Sequence, residues 1–183
     1  MLYTRKGDKG TTKVFDTKSG TRLSKSSCQT ESLGTLDELN SFLGLVKIKS
    51  EKVDWLVCDI SLEKIVFWVQ NNLFIIQAQI AGADKNIEEN KIIEMENWID
   101  SIEKELPPIT TFFISGGTEL ASLLDISRTM TRKAERRVIK SVEEGIAVNP
   151  NTLVFLNRLS SLFYALARLT NYKSGIKEVA PSY

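Results

Sequence analysis

Apolar residues recur along most of this chain at the three- and four-residue spacing of helices that bury one side. Leu36, Leu39, Leu43 and Val46 make the first such stripe, and Thr35 with Glu38 forms a T-x-x-E capping box, which predicts a helix from 35 to about 50. A longer pattern from 54 to about 81 carries Trp55, Leu56, Ile60, Leu62, Ile65, Val66, Val69, Leu73, Ile76 and Ile80. It is apolar over much of its circumference, as a central bundle helix is. A third, more polar helix starts at Asn86 or Glu88, turns Ile92, Met95, Trp98, Ile99 and Ile102 inward, and ends near Glu105, ahead of Pro107 and Pro108.

The connector I-T-T-F-F-I-S-G-G at 109–117 is β-branched and aromatic, so it reads as a short extended piece with Phe112 and Phe113 as core plugs. A fourth helix follows to about Glu144, where Gly145 terminates it, with Leu120, Leu123, Met130, Ala134 and Val138 on its packed side. Asn149 as N-cap and Pro150 at the first position open the last helix, which runs to about Tyr172 over an inner stripe of Leu153, Leu156, Leu159, Phe163 and Leu166. Asn157, Ser161, Tyr164 and Arg168 line another of its sides. No repeat and no strand-helix alternation interrupts the pattern, so the predicted fold is all-α: a five-helix antiparallel bundle over 34–172, in one domain spanning 1–183. Residues 1–33, dense in Gly, Thr, Ser and Lys, are expected to form an extended N-terminal loop.

Composition narrows the chemistry. A net charge of +1 removes the usual electrostatic case for a nucleic-acid or anionic-membrane partner. The start M-L-Y-T-R-K-G-D lacks the apolar core of a signal peptide, so a cytoplasmic protein is the default expectation. Cys28 and Cys58 stand outside any C-x-x-C spacing and are expected to be idle or buried thiols, with no protein-held metal. The chain has no histidine, which excludes a Ser-His-Asp triad, a histidine base and histidine metal ligands. Any reaction must run on carboxylates, Lys, Arg, backbone groups or a reactive cosubstrate.

Two stretches can hold a polyphosphate. On the fourth helix Arg128, Arg132, Glu135 and Arg136 fall within an arc of about 100°, and arginine's planar fork suits phosphate. In the N-terminal loop Gly7 and Gly10 allow positive φ, Thr4, Thr11 and Thr12 offer hydroxyls and amides, and Lys6, Lys13 and Lys25 add charge. Each has an ordinary alternative: a solvated helix face laced by pairs such as Arg132 with Glu135, and a mobile terminus. Asp37 falls in the first turn of its predicted helix, where the helix dipole favours a carboxylate with or without a partner.

Four blocks nevertheless resemble one family in its own order: Y-T-R-K-G-D-K-G-T-T at 3–12, G-T-L-D-E-L-N-S-F-L-G at 34–44, S-G-G-T-E-L-A-S-L-L-D-I-S-R-T-M-T-R-K-A-E-R-R at 115–137 and N-P-N-T-L-V-F-L-N-R-L-S at 149–160. They are similar to the PduO-type ATP:corrinoid adenosyltransferases. The resemblance implies a cobalamin adenosyltransferase-like homotrimer with each active site between neighbouring subunits. It places ATP on Thr4, Arg5, Lys6, Gly7, Thr12, Lys13, Lys25, the run Arg132, Lys133, Ala134, Glu135 and Arg136, and Asn157, with Mg²⁺ bridging the phosphates. Asp37 and Arg128 match an intersubunit ion pair on the corrinoid side, and Phe112 matches an aromatic that crowds the lower face of the corrin. The implied catalytic set is Asp37, Phe112, Arg128 and Arg132.

The implied reaction accounts for the missing histidine: a four-coordinate cobalt(II) corrinoid is reduced, and cobalt(I), itself a strong nucleophile, attacks C5′ of ATP and expels triphosphate. A reductase and a B12-dependent enzyme are the implied transient partners. Ser115 departs from a usual Pro, Asp125 stands where His is common, and Lys133 replaces a second Arg. An ATP-sensing regulatory module on the same fold is the alternative; a third reading, an RNA-binding helical protein, is opposed by the +1 charge and by Glu135, Glu143 and Glu144.

Overall fold

The computed structural model describes residues 3–15 and 22–183; positions 1–2 and 16–21 of the expected N-terminal loop lie outside the described residues. A small antiparallel pair, β1 (Thr11–Thr12) with β2 (Leu23–Ser24), precedes α1 (Cys28–Ser50). A second pair, β3 (Leu56–Val57) with β4 (Ile60–Ser61), leads into α2 (Leu62–Ile80), followed by α3 (Glu89–Glu105), α4 (Glu119–Glu143) and α5 (Pro150–Lys173). α4 packs between α1 and α5, α2 lies on α1, and α3 lies on α5. Each helix reverses the direction of the one before it, so α3 and α5 run the same way side by side. Phe155, Phe163, Leu36, Leu39, Leu43 and Ile65 are fully buried at the centre, and Trp68 meets Trp98 edge-on at 4.9 Å. No helix among the described residues is long and apolar enough to cross a membrane.

Helix α1 begins earlier than its apolar stripe indicates, and the expected boundary between loop and bundle moves with it. Ser27 is the N-cap and accepts from the Thr30 amide. Thr35 is no cap: it is buried in mid-helix and donates its hydroxyl to Glu31 O at 2.6 Å. The stretch before it looks like loop because its buried side carries hydroxyls in place of apolar groups. Ser32 Oγ lies 2.8 Å from Arg137 O and 2.7 Å from Ser141 Oγ, which satisfies its polar atoms against α4.

The long pattern from 54 also divides. Cys58 and Asp59 take φ of 49° and 63°, a turn that sends the chain back on itself between β3 and β4 before Ser61 caps α2. Strands of two residues are too short to show an alternation, so their apolar residues merge with the helical stripe. The other predicted caps hold: Asn149 caps α5 with Pro150 at its start, and Gly145 takes positive φ after α4. Connector 109–117 forms no strand, and Phe112 is not a core plug: its ring is 81% exposed, while Phe113 is half-buried.

Candidate functional site: a cleft beside an arginine-bearing helix

Connector 109–117, one side of α4, the last four turns of α5 and the segment 176–179 enclose a cleft of about 900 Å³. Asp125, Arg128 and Arg132 line it from α4, and Ser160, Ser161 and Tyr164 from α5. The turn into α4 is fixed by Asn171, whose Nδ2 donates to Gly116 O at 2.7 Å and whose Oδ1 accepts from the Thr118 amide at 3.0 Å. Gly117 has φ of 104°, and a Cβ added there would lie 2.3 Å from Asn171 Oδ1. Gly117→Ala is therefore expected to lower stability by about 2–4 kcal/mol, from backbone strain plus the loss of one or both Asn171 bonds; the denaturant midpoint measures it.

The charged groups of α4 fall into three sets. Arg128 is held within the helix, its Nε 2.9 Å from Asp125 Oδ1 and its guanidinium 6.0 Å from the Tyr164 ring centre. Lys133 and Arg137 turn toward α1, Lys133 Nζ lying 2.9 Å from Glu38 Oε2 and Arg137 4.0 Å from Glu31. Arg132 and Arg136 are exposed and carry no ion pair among the described residues. The lacing of Arg132 to Glu135 does not form, because Glu135 Oε1 accepts from Asn157 Nδ2 of α5 at 3.1 Å. Ala134 is fully buried and spaces the stripe from within the core. Burial pushes the Tyr164 phenol up, so it stays a neutral O–H beside the cleft.

The described part of the N-terminal loop is organised around its glycines. Gly10 N donates to Gly7 O at 3.1 Å, and Lys25 N donates to Gly10 O at 2.9 Å. Arg22 closes the hairpin through Nε to Thr11 Oγ1 and Nη2 to Thr11 O, both 2.8 Å. Arg5 has φ of 58° with its guanidinium 5.5 Å from the Tyr3 ring, and Lys6 N donates to Thr4 Oγ1 at 3.4 Å. Thr12 is half-buried and Lys13 exposed. No hydrogen bond or ion pair among the described residues joins this loop to Arg128, Arg132 or Arg136. Asp37 stands exposed on α1, away from the cleft lining. A single chain thus brings together Phe112, Arg128 and Arg132, and links Glu135 with Asn157, but leaves the loop and Asp37 apart from them.

The sequence profile described as Cobalamin adenosyltransferase matches residues 2–170. This chain belongs to that family. Among curated cobalamin adenosyltransferase relatives, the Corrinoid adenosyltransferase of Bacillus subtilis (strain 168) is 38% identical, over 97% of this chain and 90% of its own. The Corrinoid adenosyltransferase MMAB of Bos taurus is 35% identical, over 97% of this chain and 74% of its own. A solved phenylalanine-to-alanine variant of the PduO-type ATP:corrinoid adenosyltransferase from Lactobacillus reuteri, complexed with cobalamin and ATP, superposes with a TM-score of 0.86 at 29% identity, covering all of both chains. An arginine-to-lysine variant of that enzyme complexed with ATP gives 0.85 at 30%, over 99% of this chain and 100% of its own.

In this member of the cobalamin adenosyltransferase family, sequence reasoning missed the groups that hold the cleft walls. Arg168 and Asn171 belong to α5, and Glu178 lies beyond its end. A signal existed for one of them: Arg168 interrupts the run Leu166, Ala167, Leu169, all buried. A cation inside such a run needs an anionic partner.

Proposed function

We propose that this protein transfers the 5′-deoxyadenosyl group of ATP to the cobalt of a reduced corrinoid, giving an adenosylated corrinoid and triphosphate. The observation that carries the reading is the pair Arg132 and Arg136, exposed and without an ion-pair partner among the described residues, with Arg132 on the rim of a cleft of about 900 Å³. Charged forks left unpaired beside a roomy, partly apolar cleft suit a polyphosphate held at its rim, with the cleft itself left for the macrocycle. The family membership supplies the chemistry that such a site serves.

Cobalt(I) attacks C5′, a cobalt–carbon bond forms, the C5′–O bond breaks, and its electron pair leaves on triphosphate. No side chain has to lose a proton, in keeping with a chain that contains no histidine. The protein's part is alignment, water exclusion and stabilisation of the negative charge that gathers on the leaving oxygens. Arg132 and Arg136 take that last part, with the N-terminal loop residues Thr4, Arg5, Lys6, Gly7, Thr12, Lys13 and Lys25 and with Asn157 holding the nucleotide. Lys133 is tied to Glu38 and contributes as a point charge at most. Among the described residues no three Cys, Asp or Glu side chains come together as metal ligands. The phosphate-binding groups fit a Mg²⁺ that arrives on the nucleotide and takes its ligands from phosphate oxygens and water.

A homotrimer with shared sites follows from the same reading. Among the described residues neither the loop nor Asp37 bonds to the cleft residues, and a neighbouring copy would bring Asp37 to Arg128. Asp125 already occupies Arg128 at 2.9 Å, so the intersubunit pair would have to share or displace it. An anaerobic assay with ATP and chemically reduced cobalamin tests the whole proposal. The absorbance change of cobalt–carbon bond formation is expected, with one triphosphate released per adenosylated corrinoid. ATP binding without product would return the ATP-sensing alternative.

A further inference from the structure

The two non-helical walls of the cleft, the connector and the C-terminal segment, are fastened to the same side chain. Arg168 is 7% exposed and forks onto Glu178, Nε to Oε1 at 2.6 Å and Nη2 to Oε2 at 2.8 Å. The same Nη2 donates to Pro107 O at 3.0 Å, and the guanidinium lies 5.4 Å from the Phe113 ring centre. The Glu178 carboxylate holds Arg168 above its ordinary range, against the opposing effect of burial. One hydrogen bond then ties wall to wall, from Ile114 N to Val179 O at 2.8 Å. Asn171, one turn further along α5, pins the far end of the connector through Gly116 and Thr118. Phe112 lies between these two anchor points, and its own ring is held by neither.

We propose that the Arg168–Glu178 pair is a positioning device for the corrinoid side of the site: it sets the spacing of the two walls and so the place of Phe112, without touching either substrate. A buried guanidinium whose Nε and Nη2 donors are committed to a bidentate carboxylate and a backbone carbonyl is confined to one geometry, so it fixes both segments together. Among the described residues the proposed nucleotide-binding groups on α4 and in the N-terminal loop form no bond with this pair. Loosening it is therefore felt by the macrocycle and not by ATP. This inference rests on the reading of the cleft as the corrinoid side.

Glu178→Gln in the full chain tests it, since the change keeps the side chain's size and removes its charge. The Ile114 amide is expected to exchange with deuterium about tenfold faster, and the corrinoid Kd, read by titration with cobalamin, to rise about tenfold, while the ATP Kd stays within about twofold. Arg168→Lys keeps the charge but loses the fork, and is expected to move the same two quantities in the same direction. Unchanged exchange at Ile114, or faster exchange with an unchanged corrinoid Kd, overturns the positioning role. Parallel losses of ATP and corrinoid affinity with a lowered melting temperature also overturn it, by showing a merely structural pair. A wild-type chain that binds no corrinoid overturns the functional reading as well, whereas the other failures leave that reading standing.

Discussion

Arg132→Ala is expected to lower kcat/KM for ATP in the adenosylation assay by about 10²–10³-fold, the usual consequence of removing one preorganised donor from a developing anion. The residue is exposed on α4 and makes no ion pair among the described residues, so its loss removes nothing that holds the helix in place. Alanine is also the better helix former, and the melting temperature is expected to stay level or rise slightly. A loss of rate with stability intact locates the effect at the phosphates. Arg132→Lys should recover part of the rate, because charge survives while the two-pronged geometry does not. A rate within about twofold of wild type in the alanine variant would remove α4 from the phosphate site and with it the proposed division of labour.

Phe112→Ala is expected to leave ATP affinity nearly intact and to slow adenosylation by about 10²-fold, the scale of a misplaced reacting group. Its ring is 81% exposed, so truncation leaves no cavity in the core and costs little stability. What it removes is an apolar surface at the cleft, the feature that would exclude water and an axial base from the cobalt. Nucleotide titration and single-turnover rates on the same preparation separate the two quantities. Equal losses in both would contradict the role assigned to the ring.

Most of the helical frame was legible from local chemistry. Asn149-Pro150, Gly145 and the Pro107-Pro108 pair act through φ restrictions and caps that need no tertiary context, and α3 and α4 end, and α5 begins, close to where those residues place them. The start of α1 was not legible, because Ser32 and Thr35 are buried through hydroxyl bonds, which leave no apolar periodicity. The arginine stripe of α4 was legible, since helical geometry alone puts Arg128, Arg132 and Arg136 on one side. Which of its cations stay free was legible only in part: Asp125, three residues from Arg128, is within reach on the same helix, whereas Glu38 takes Lys133 from α1, a partner that only packing decides. Asn171 reaches Gly116 across 55 positions, a separation that carries no periodic signal.

The hydroxyls at the α1–α4 seam also act as an indexing pin. Sliding α4 by one residue along α1 would part Ser32 from both the Arg137 carbonyl and Ser141. The height of the arginines along the bundle is therefore keyed to Ser27, where the N-terminal loop enters α1. The two segments proposed to hold phosphate, unbonded to each other among the described residues, thus share a common ruler, and copies assembled side by side would inherit the same calibrated offset.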